Sequence, residues 1–201
     1  MHPNAKFIFK LDEDIFVGKN FFNGMIDTYN LAIKEKKYKI GLICPVMNVN
    51  GASYNYFLEF KECKDEYIKL FGDSRITCDD DSVYKDPNAA LFLREKMFPI
   101  DDTINEFSKR KIGYHQCGIR YSIGAILFTR DTWNNFKGFI SPGNGELAWD
   151  ELCLCSYCIN TSSSILICNN VLAGHFGFGC QKKEVKKMFD VNKERFFDET
   201  L

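Results

Sequence analysis

Two aspartates at the end of an apolar segment are the first residues of this sequence that suggest chemistry. Asp12 and Asp14 follow the segment 7–11, which is short and rich in aromatic and branched residues, as buried strands are. On extended backbone, residues two apart project to the same side, so both carboxylates can share one cation while Glu13 points away. Carboxylates suit Mg²⁺ or Mn²⁺, which keep coordination positions for substrate phosphate. A solvated acidic turn is the alternative, and the strand in front favours the metal.

A denser acidic cluster at 79–81 lacks this context. Its neighbours include Thr77 and Ser82, and no apolar strand precedes it. We therefore predict a solvated loop there.

A second acidic pair, Asp150 and Glu151, directly follows Trp149 at the predicted start of a helix that runs through Ile159. Carboxylates at a helix N-terminus are commonly only caps that the helix dipole favours. The neighbouring tryptophan can stack on a sugar ring, which favours a functional interpretation. The segment 141–145, Ser-Pro-Gly-Asn-Gly, precedes the pair and predicts a flexible loop that can close over a ligand.

One histidine and one glycine also lie where a ligand can approach. His175 lies between Gly174 and Gly177, and glycine neighbours leave space around the imidazole. Gly124 lies in the apolar segment 121–128, where it lets a ligand or a backbone come close. The alternative, that Gly124 only packs beneath a neighbouring side chain, stays equally open.

The elements that position these residues are predicted to alternate as in an α/β protein. Apolar residues spaced three and four apart predict a core-packing helix over 20–37: Phe22, Ile26, Tyr29 and Ile33. Further strands are predicted at 40–45, where Pro45 ends the strand, at 121–128 and at 165–167. Further helices are predicted at 62–71, at 89–97 and at 103–111, and Pro99, Asp101 and Asp102 supply the break and the cap before the last of these. Another helix is predicted after a cap at Thr129. The last predicted helix runs over about 181–200 and docks through Val185, Phe189 and Phe196. The polar segment 72–88 predicts a long excursion, and the 201 residues are interpreted as one domain.

Composition excludes several classes of protein. The chain has 26 basic and 27 acidic residues and a formal charge of -1, without a basic stripe, so we expect no nucleic-acid partner. Its nine cysteines are scattered and odd in number, and the first residues lack the pattern of a signal peptide, so we expect reduced thiols and a cytoplasmic location. No stretch approaches the roughly 20 apolar residues of a membrane span, so we expect no transmembrane segment.

Some of the cysteines have an alternative interpretation as a zinc site. Cys155 and Cys158 share one face of a helix, whereas Cys153 does not, and the site needs distant partners such as Cys168 or Cys180. Buried thiols that behave as small hydrophobic groups explain the cysteines adequately.

The order of the motifs resembles the GT-A fold of nucleotide-sugar glycosyltransferases, in its inverting, family-2-like form. The resemblance rests on the segments 10–14, 121–124, 149–151 and 174–176 and spans about residues 6–180. It implies a partial GT-A-like (Rossmann-like) mixed sheet flanked by helices. It also implies transfer of a sugar from a nucleotide-diphosphate donor to a hydroxyl of a glycan or another acceptor.

The resemblance also implies roles for residues. In that family an Asp-x-Asp strand end holds a divalent metal on the donor diphosphate, a role that falls here on Asp12 and Asp14, with Mn²⁺ or Mg²⁺ as the ion and His175 completing its shell. An acidic pair that opens a helix supplies the base, which implies Asp150 or Glu151. Family members commonly read Glu-Asp where this chain reads Asp-Glu, and we favour Asp150 narrowly. Substrate contacts are assigned to Asp12, Ser122, Gly124 and Trp149.

One part of the family pattern is absent. A nucleotide-binding half of roughly one hundred residues normally precedes the Asp-x-Asp strand, but only eleven residues precede Asp12 here. Three explanations are open for the missing half. A separate chain supplies it, the sequence is a fragment of a longer protein, or the domain is a pseudoenzyme that binds sugar or a partner chain. A phosphohydrolase that uses a metal at Asp12 and Asp14 and the zinc-binding module are the remaining alternatives.

Overall fold

The computed structural model describes residues 2, 4–78, 82–139, 149–177 and 179–196, without the side chain of Cys180. Its strands are β1 (Phe7–Leu11), β2 (Ile15–Val17), β3 (Ile40–Met47), β4 (Tyr114–Cys117), β5 (Ala125–Thr129) and β6 (Ser164–His175). Its helices are α1 (Phe21–Glu35), α2 (Tyr54–Phe60), α3 (Lys64–Phe71), α4 (Ser82–Lys85), α5 (Pro87–Glu95), α6 (Ile100–Ser108), α7 (Arg130–Phe136), α8 (Trp149–Asn160) and α9 (Lys182–Val191), with short 3-10 turns at 179–181 and 193–195.

The strands form one mixed six-stranded sheet in the order β1-β5-β3-β6-β2, with β4 also paired to β6. β3 and β6 are parallel, and β5 is antiparallel to both β1 and β3. β1, β3 and β6 therefore run in the same direction, and their carboxyl ends lie at one end of the sheet. The α/β class with a mixed sheet and flanking helices is confirmed.

The acidic segment after β1 crosses the end of this sheet. β1 pairs with β5, whereas β2 pairs with the last residues of β6 on the opposite edge. The chain between Leu11 and Ile15 therefore passes over the strand ends, and Glu13 and Asp14 form a turn. The prediction of extended backbone through Asp12 and Asp14 is wrong, because the two flanking strands belong to different edges.

β6 is 12 residues long and joins two segments that the sequence treated separately. It contains the predicted strand 165–167 and continues to His175. Its first half pairs with β4, a strand that was not predicted, and its last residues pair with β2. The histidine is therefore held at the carboxyl end of a buried strand.

β3 continues through Pro45 to Met47, so the prediction that Pro45 ends this strand is wrong. Proline lacks the N–H that a ladder needs, and it is tolerated at a bulge. The pairing of β3 with β6 shifts register between Cys44 and Val46, which accommodates the proline. The two added residues carry the strand to Asn48 at the site end of the sheet.

The buried face of α1 lies one residue earlier than the periodicity predicted. Phe22 is 42% exposed and Ile33 is 50% exposed, so the predicted face is not the one that packs deepest. The predicted face contacts the edge strand β1 instead, and the ring centroids of Phe9 and Phe22 lie 4.9 Å apart. The deeply buried stripe includes Thr28, a polar residue that a search for hydrophobic positions misses. Its hydroxyl donates to a backbone carbonyl in the same helix. The buried residues are Phe21, Gly24, Met25, Thr28 and Ala32.

Several element boundaries also differ from the prediction. β5 begins at Ala125, and Tyr121, predicted as its start, is instead fully buried with its hydroxyl donating to the Pro45 carbonyl at 2.6 Å. Asp101 and Asp102 lie inside the first turn of α6 and do not precede it. The predicted excursion 72–88 contains α4 and the start of α5. Local sequence marks these elements, but their ends depend on packing partners.

The last described segment packs through aromatic residues. α9 ends at Val191, earlier than the predicted 200, and Val185 is buried. Phe196 lies beyond the helix, with 4.9 Å between its centroid and that of Phe189. Among the described residues, no helix is both long and apolar enough to cross a membrane.

The predicted cap of α7 is present and gives a stability test. The Thr129 hydroxyl accepts from the Thr132 N–H at 3.1 Å. We expect Thr129→Ala to lower the free energy of unfolding by about 1 kcal/mol, because the N–H loses its partner. Chemical denaturation measures this change. Thr129→Ser keeps the hydroxyl and is the control, and an equal loss in both variants would contradict the capping role.

Candidate functional site

The two aspartates of the Asp-x-Asp segment are held by different strands at the same end of the sheet. The Asp12 N–H donates to the Gly124 carbonyl at 2.8 Å, beside the start of β5. The Phe176 N–H donates to the Asp14 carbonyl at 3.0 Å, beside the end of β6. The site therefore extends across the strand ends, with Asp12 on one side and Asp14 on the other.

Asp14 faces His175 closely. Asp14 Oδ2 lies 3.6 Å from His175 Nε2, and the imidazole is buried. His175 Nδ1 lies 3.2 Å from the Val49 carbonyl, which can only accept, so Nδ1 carries a proton. A neutral imidazole then presents the Nε2 lone pair to the carboxylate, and the two repel unless a second proton or a metal ion lies between them. A metal-binding histidine commonly has this arrangement, with its other N–H on a backbone carbonyl.

Two asparagines after β3 support this site, and they were not among the predicted site residues. The Asn48 side-chain oxygen accepts from the His175 N–H at 2.8 Å. The Asn50 side-chain amide donates to the Ser122 carbonyl at 3.2 Å. Both asparagines are buried. Their position, two polar residues directly beyond a buried strand that is parallel to β6, is the signal that could have identified them.

Asp12 pairs with a lysine that the sequence analysis did not assign to the site. Lys10 Nζ lies 2.7 Å from Asp12 Oδ1 and 3.3 Å from Asp150 Oδ2. It also donates to the Ile123 carbonyl at 3.1 Å. The ammonium group thus joins the end of β1 to the start of α8. Lys10 is the polar residue of an otherwise apolar strand and is two residues before Asp12, which places both on one side.

The two acids of α8 are each paired with a cation and differ in exposure. Glu151 Oε1 lies 2.7 Å from Arg120 Nε, and its side chain is 12% exposed. The Asp150 side chain is 40% exposed, and its Oδ1 accepts from the Glu151 N–H at 2.9 Å. Asp150 therefore lies in the first turn of α8, pairs with Lys10 and keeps part of its carboxylate in contact with solvent.

The remaining predicted contacts take different positions. A Cβ on Gly124 would lie 3.1 Å from Ile15 Cδ1 and 3.6 Å from Asp12 Oδ2, so this glycine makes room for Asp12 and β2. Ser122 contributes its carbonyl to Asn50. Trp149 is half-buried at the first position of α8, next to Asp150.

The structure brings together some of the predicted metal ligands. Asp14 and His175 are neighbours, whereas Asp12 is paired with Lys10. Within the described part of the chain, no group of three His, Cys, Asp or Glu side chains has a metal-binding arrangement. Asp14 and His175 are a pair of potential ligands, and an ion held by them alone would have its remaining positions open to water or ligand oxygens.

The cysteines of α8 behave as core residues. Burial raises the pKa of Cys155 to about 11 and that of Cys158 to about 12, so both thiols are protonated at neutral pH. Burial also raises the pKa of Cys168 to about 12. The described cysteines therefore fit the interpretation as small hydrophobic groups. The side chain of Cys180 lies outside the described residues, as do the predicted loops at 141–145 and 79–81.

The pairing of Asp14 with His175 predicts a pH dependence of stability. His175 lowers the pKa of Asp14 from 3.8, through a hydrogen bond when Nε2 carries a proton and through its charge, against the effect of burial. The unfolded carboxylate binds protons more readily than the native one, so the stabilisation is present above the unfolded pKa and is lost as pH falls through the native pKa. We expect Asp14→Asn to flatten the decline of stability below about pH 4.

Denaturant unfolding at a series of pH values from 5 to 2 is the measurement. Asp27→Asn, at an exposed acid of α1, is the matched control and should keep the decline of the unchanged chain. An Asp14→Asn variant with an unaltered acid limb would show that the pair does not contribute.

Comparison with protein-family models, with curated proteins and with solved structures finds no match for this chain. The function is therefore inferred from the site itself.

Proposed function

We propose that this chain is a metal-dependent glycosyltransferase domain that moves a sugar from a nucleotide-diphosphate donor to an acceptor hydroxyl. The observation that carries the proposal is the pair of Asp14 and His175, 3.6 Å apart at the end of the sheet, with the other histidine nitrogen engaged by Val49. This pair is a suitable half-shell for Mn²⁺ or Mg²⁺. A bound ion would neutralise negative charge on the leaving diphosphate.

The surrounding elements support the GT-A-like arrangement. The Asp-x-Asp segment follows the carboxyl end of β1 in a mixed sheet, and the histidine ends β6, which runs in the same direction. In open α/β sheets, ligands bind outside the carboxyl ends of the strands. The acids of α8 reach the same end, because Lys10 contacts both Asp12 and Asp150.

Asp150 is the residue that we assign as general base. Its side chain is 40% exposed, so an acceptor hydroxyl can reach it. It would take the proton of that hydroxyl while the oxygen attacks the anomeric carbon. Glu151 is a positioning residue, because its carboxylate is bound to Arg120 and holds the start of α8. Trp149, at the same helix end, offers a surface on which the acceptor sugar can stack.

A non-catalytic domain of the same fold is the second candidate. Lys10 lies between Asp12 and Asp150, so these carboxylates have a cation without any metal. β1 pairs only with β5 among the described strands, and an apolar edge strand is suited to pair with a strand of another chain. Such a chain could supply the nucleotide-binding half, or it could be the partner of a pseudoenzyme.

Thermal unfolding with Mn²⁺ and a panel of nucleoside diphosphates tests the first candidate. We expect stabilisation by one nucleotide that requires the metal, and its loss in Asp14→Asn but not in the control Asp27→Asn. Product analysis with the matching sugar nucleotide then separates transfer to an acceptor from release of phosphate without one. A folded chain that binds no nucleotide with metal would contradict the enzyme and favour the non-catalytic domain.

A further inference from the structure

The outer edge of β1 is open, because this strand is first in the sheet order and pairs only with β5 among the described strands. The Lys6 carbonyl accepts from the Arg130 N–H at 2.8 Å, and the Asp12 N–H donates to the Gly124 carbonyl at 2.8 Å. In an antiparallel ladder, residues two apart bond to the same neighbour. The even-numbered residues of this segment therefore bond to β5. The residues whose N–H and C=O groups point to the open edge are Phe7, Phe9 and Leu11.

β1 lacks the features that commonly protect an open edge. Such edges are often blocked by proline, by a bulge or by a charged side chain that points across them. The strand contains no proline and pairs with β5 without a register shift. Its one charged residue, Lys10, has its ammonium group 2.7 Å from Asp12 and 3.3 Å from Asp150 of the same chain. The lysine is therefore turned to its own sheet and leaves the edge accessible to another strand.

Apolar side chains border this edge on the face that α1 covers. The rings of Phe7 and Phe9 contact α1. Leu11 is 38% exposed, and Phe22, which lies against Phe9, is 42% exposed. Apolar area that a single copy leaves in water thus lies directly beside unpaired backbone groups. A strand that adds to β1 would cover both.

The two ends of β1 carry opposite charges. The Lys6 side chain is exposed, with its ammonium 5.0 Å from the centroid of the Phe7 ring, so it can turn to a carboxylate. At the other end, Lys10 is one cation beside the two carboxylates of Asp12 and Asp150, so this group keeps a net negative charge. An antiparallel second copy of the strand places start beside end and therefore lysine beside acid. The strand is complementary in charge to itself.

One register satisfies the backbone and the charges together. It places Phe9 opposite Phe9 of the second copy and Phe7 opposite Leu11. It also places Lys6 opposite Asp12. Each residue with outward backbone groups would donate one N–H and accept at one carbonyl, which gives about six hydrogen bonds between the copies. A slip by two residues moves an end residue of β1 opposite a residue outside the strand and separates the lysine from Asp12.

We propose that this chain forms a symmetric dimer in which β1 pairs antiparallel with β1 of a second copy. The sheet then continues from one copy into the other, and Lys6 of each copy lies beside Asp12 of the other, at the end of the sheet that carries the candidate site. A two-fold axis at Phe9 makes the interface self-complementary, so assembly stops at two copies. The dimer does not depend on sugar transfer, and it excludes the addition of a different chain to β1.

Sedimentation equilibrium measures the association. An interface built on one strand pair is small, so we expect a Kd on the order of 10 µM. Lys6→Glu should weaken association on the order of 10-fold, because like charges then face each other twice in the symmetric pair. Asp12→Lys should weaken it similarly. Lys19→Glu, at an exposed lysine outside the strand, makes the same change in charge as Lys6→Glu and should associate like the unchanged chain.

A mixture of Lys6→Glu and Asp12→Lys tests the register directly. In a mixed dimer the two altered residues face each other, as do the unaltered Lys6 and Asp12, so both pairs of opposite charge are restored. We expect the mixture to associate like the unchanged chain, with each variant alone remaining weaker. Circular dichroism establishes that both variants are folded. A mixture no tighter than its components would overturn the proposal, as would an unchanged chain that stays monomeric at millimolar concentration.

Amide hydrogen exchange followed by NMR gives a second test that needs no variant. The N–H groups of Phe7, Phe9 and Leu11 are open in a single copy and bonded in the dimer, so their exchange should slow as the protein concentration rises. Those of Ile8 and Lys10 face β5 in both states and should not respond. Protection that appears at β2 instead, or nowhere, would overturn the proposal. Neither result would affect the metal and nucleotide measurements that test the proposed transferase.

Discussion

Replacing Asp150 by asparagine is expected to lower the rate of sugar transfer by about 10²- to 10⁴-fold, the usual contribution of a general base. Metal-dependent nucleotide binding should remain close to that of the unchanged chain, because the proposed metal ligands are Asp14 and His175 and not Asp150. Asparagine keeps the side-chain oxygen that accepts from the Glu151 N–H, so the start of the helix is retained. Steady-state kinetics with a nucleotide sugar and an acceptor measure the effect, with the loss appearing in kcat.

Glu151→Gln is the matched comparison within the same pair of acids. It removes the charge of a carboxylate 2.7 Å from Arg120 Nε and only 12% exposed, so we expect a loss of about 1–3 kcal/mol in the free energy of unfolding. Its effect on transfer should be smaller than that of Asp150→Asn once the folded fraction is equal. The reverse order, with a folded Glu151→Gln variant inactive and Asp150→Asn active, would assign the base to Glu151.

Replacing His175 by alanine is expected to lower Mn²⁺ affinity by about 100-fold or more. The change removes the nitrogen that faces Asp14. Asn48→Ala should weaken binding by about 10-fold, because outer contacts such as that to the His175 N–H orient the ligand without touching the ion. Isothermal titration calorimetry measures both affinities. Binding should also weaken as pH falls, because a metal ligand must be deprotonated.

His115→Ala is the matched histidine control. His115 is exposed and stacks on Tyr56, with 4.9 Å between the ring centroids. The His115→Ala variant should bind Mn²⁺ like the unchanged chain. Equal losses in the two histidine variants, or undiminished binding by folded His175→Ala, would remove the histidine from the proposed metal shell and with it the main support for a metal-dependent enzyme.

The elements that could be read from the sequence are those with a local cause. β1 has the predicted bounds, because a short run of aromatic and branched residues favours a strand. The predicted burial is wrong, since β1 lies at an edge of the sheet and only Ile8 among its residues is buried. Thr129 caps α7 through a hydrogen bond to a residue three positions away. A helix is present over the described residues Trp149–Asn160, and the alternation of strands and helices was enough for the α/β class.

The composition of the site was decided by contacts between distant parts of the chain. Lys10 bonds to a carbonyl 113 residues away, and His175 bonds to Asn48 and Val49 at separations above one hundred residues. Spacing in sequence placed Asp12 and Asp14 on one metal, whereas the sheet order separates them between β5 and β6. Periodicity carries no information on which strands become neighbours.

The sequence by itself therefore determined the chemistry that is present: two aspartates after a strand, an acidic pair opening a helix and a histidine between glycines. Only the tertiary structure decided which of these groups share a partner. Strand order placed Asp14 with His175 and Asp12 with Lys10. The physical reason is that a side chain's identity sets what it can bind, while the free energy of packing the whole sheet sets what comes within reach.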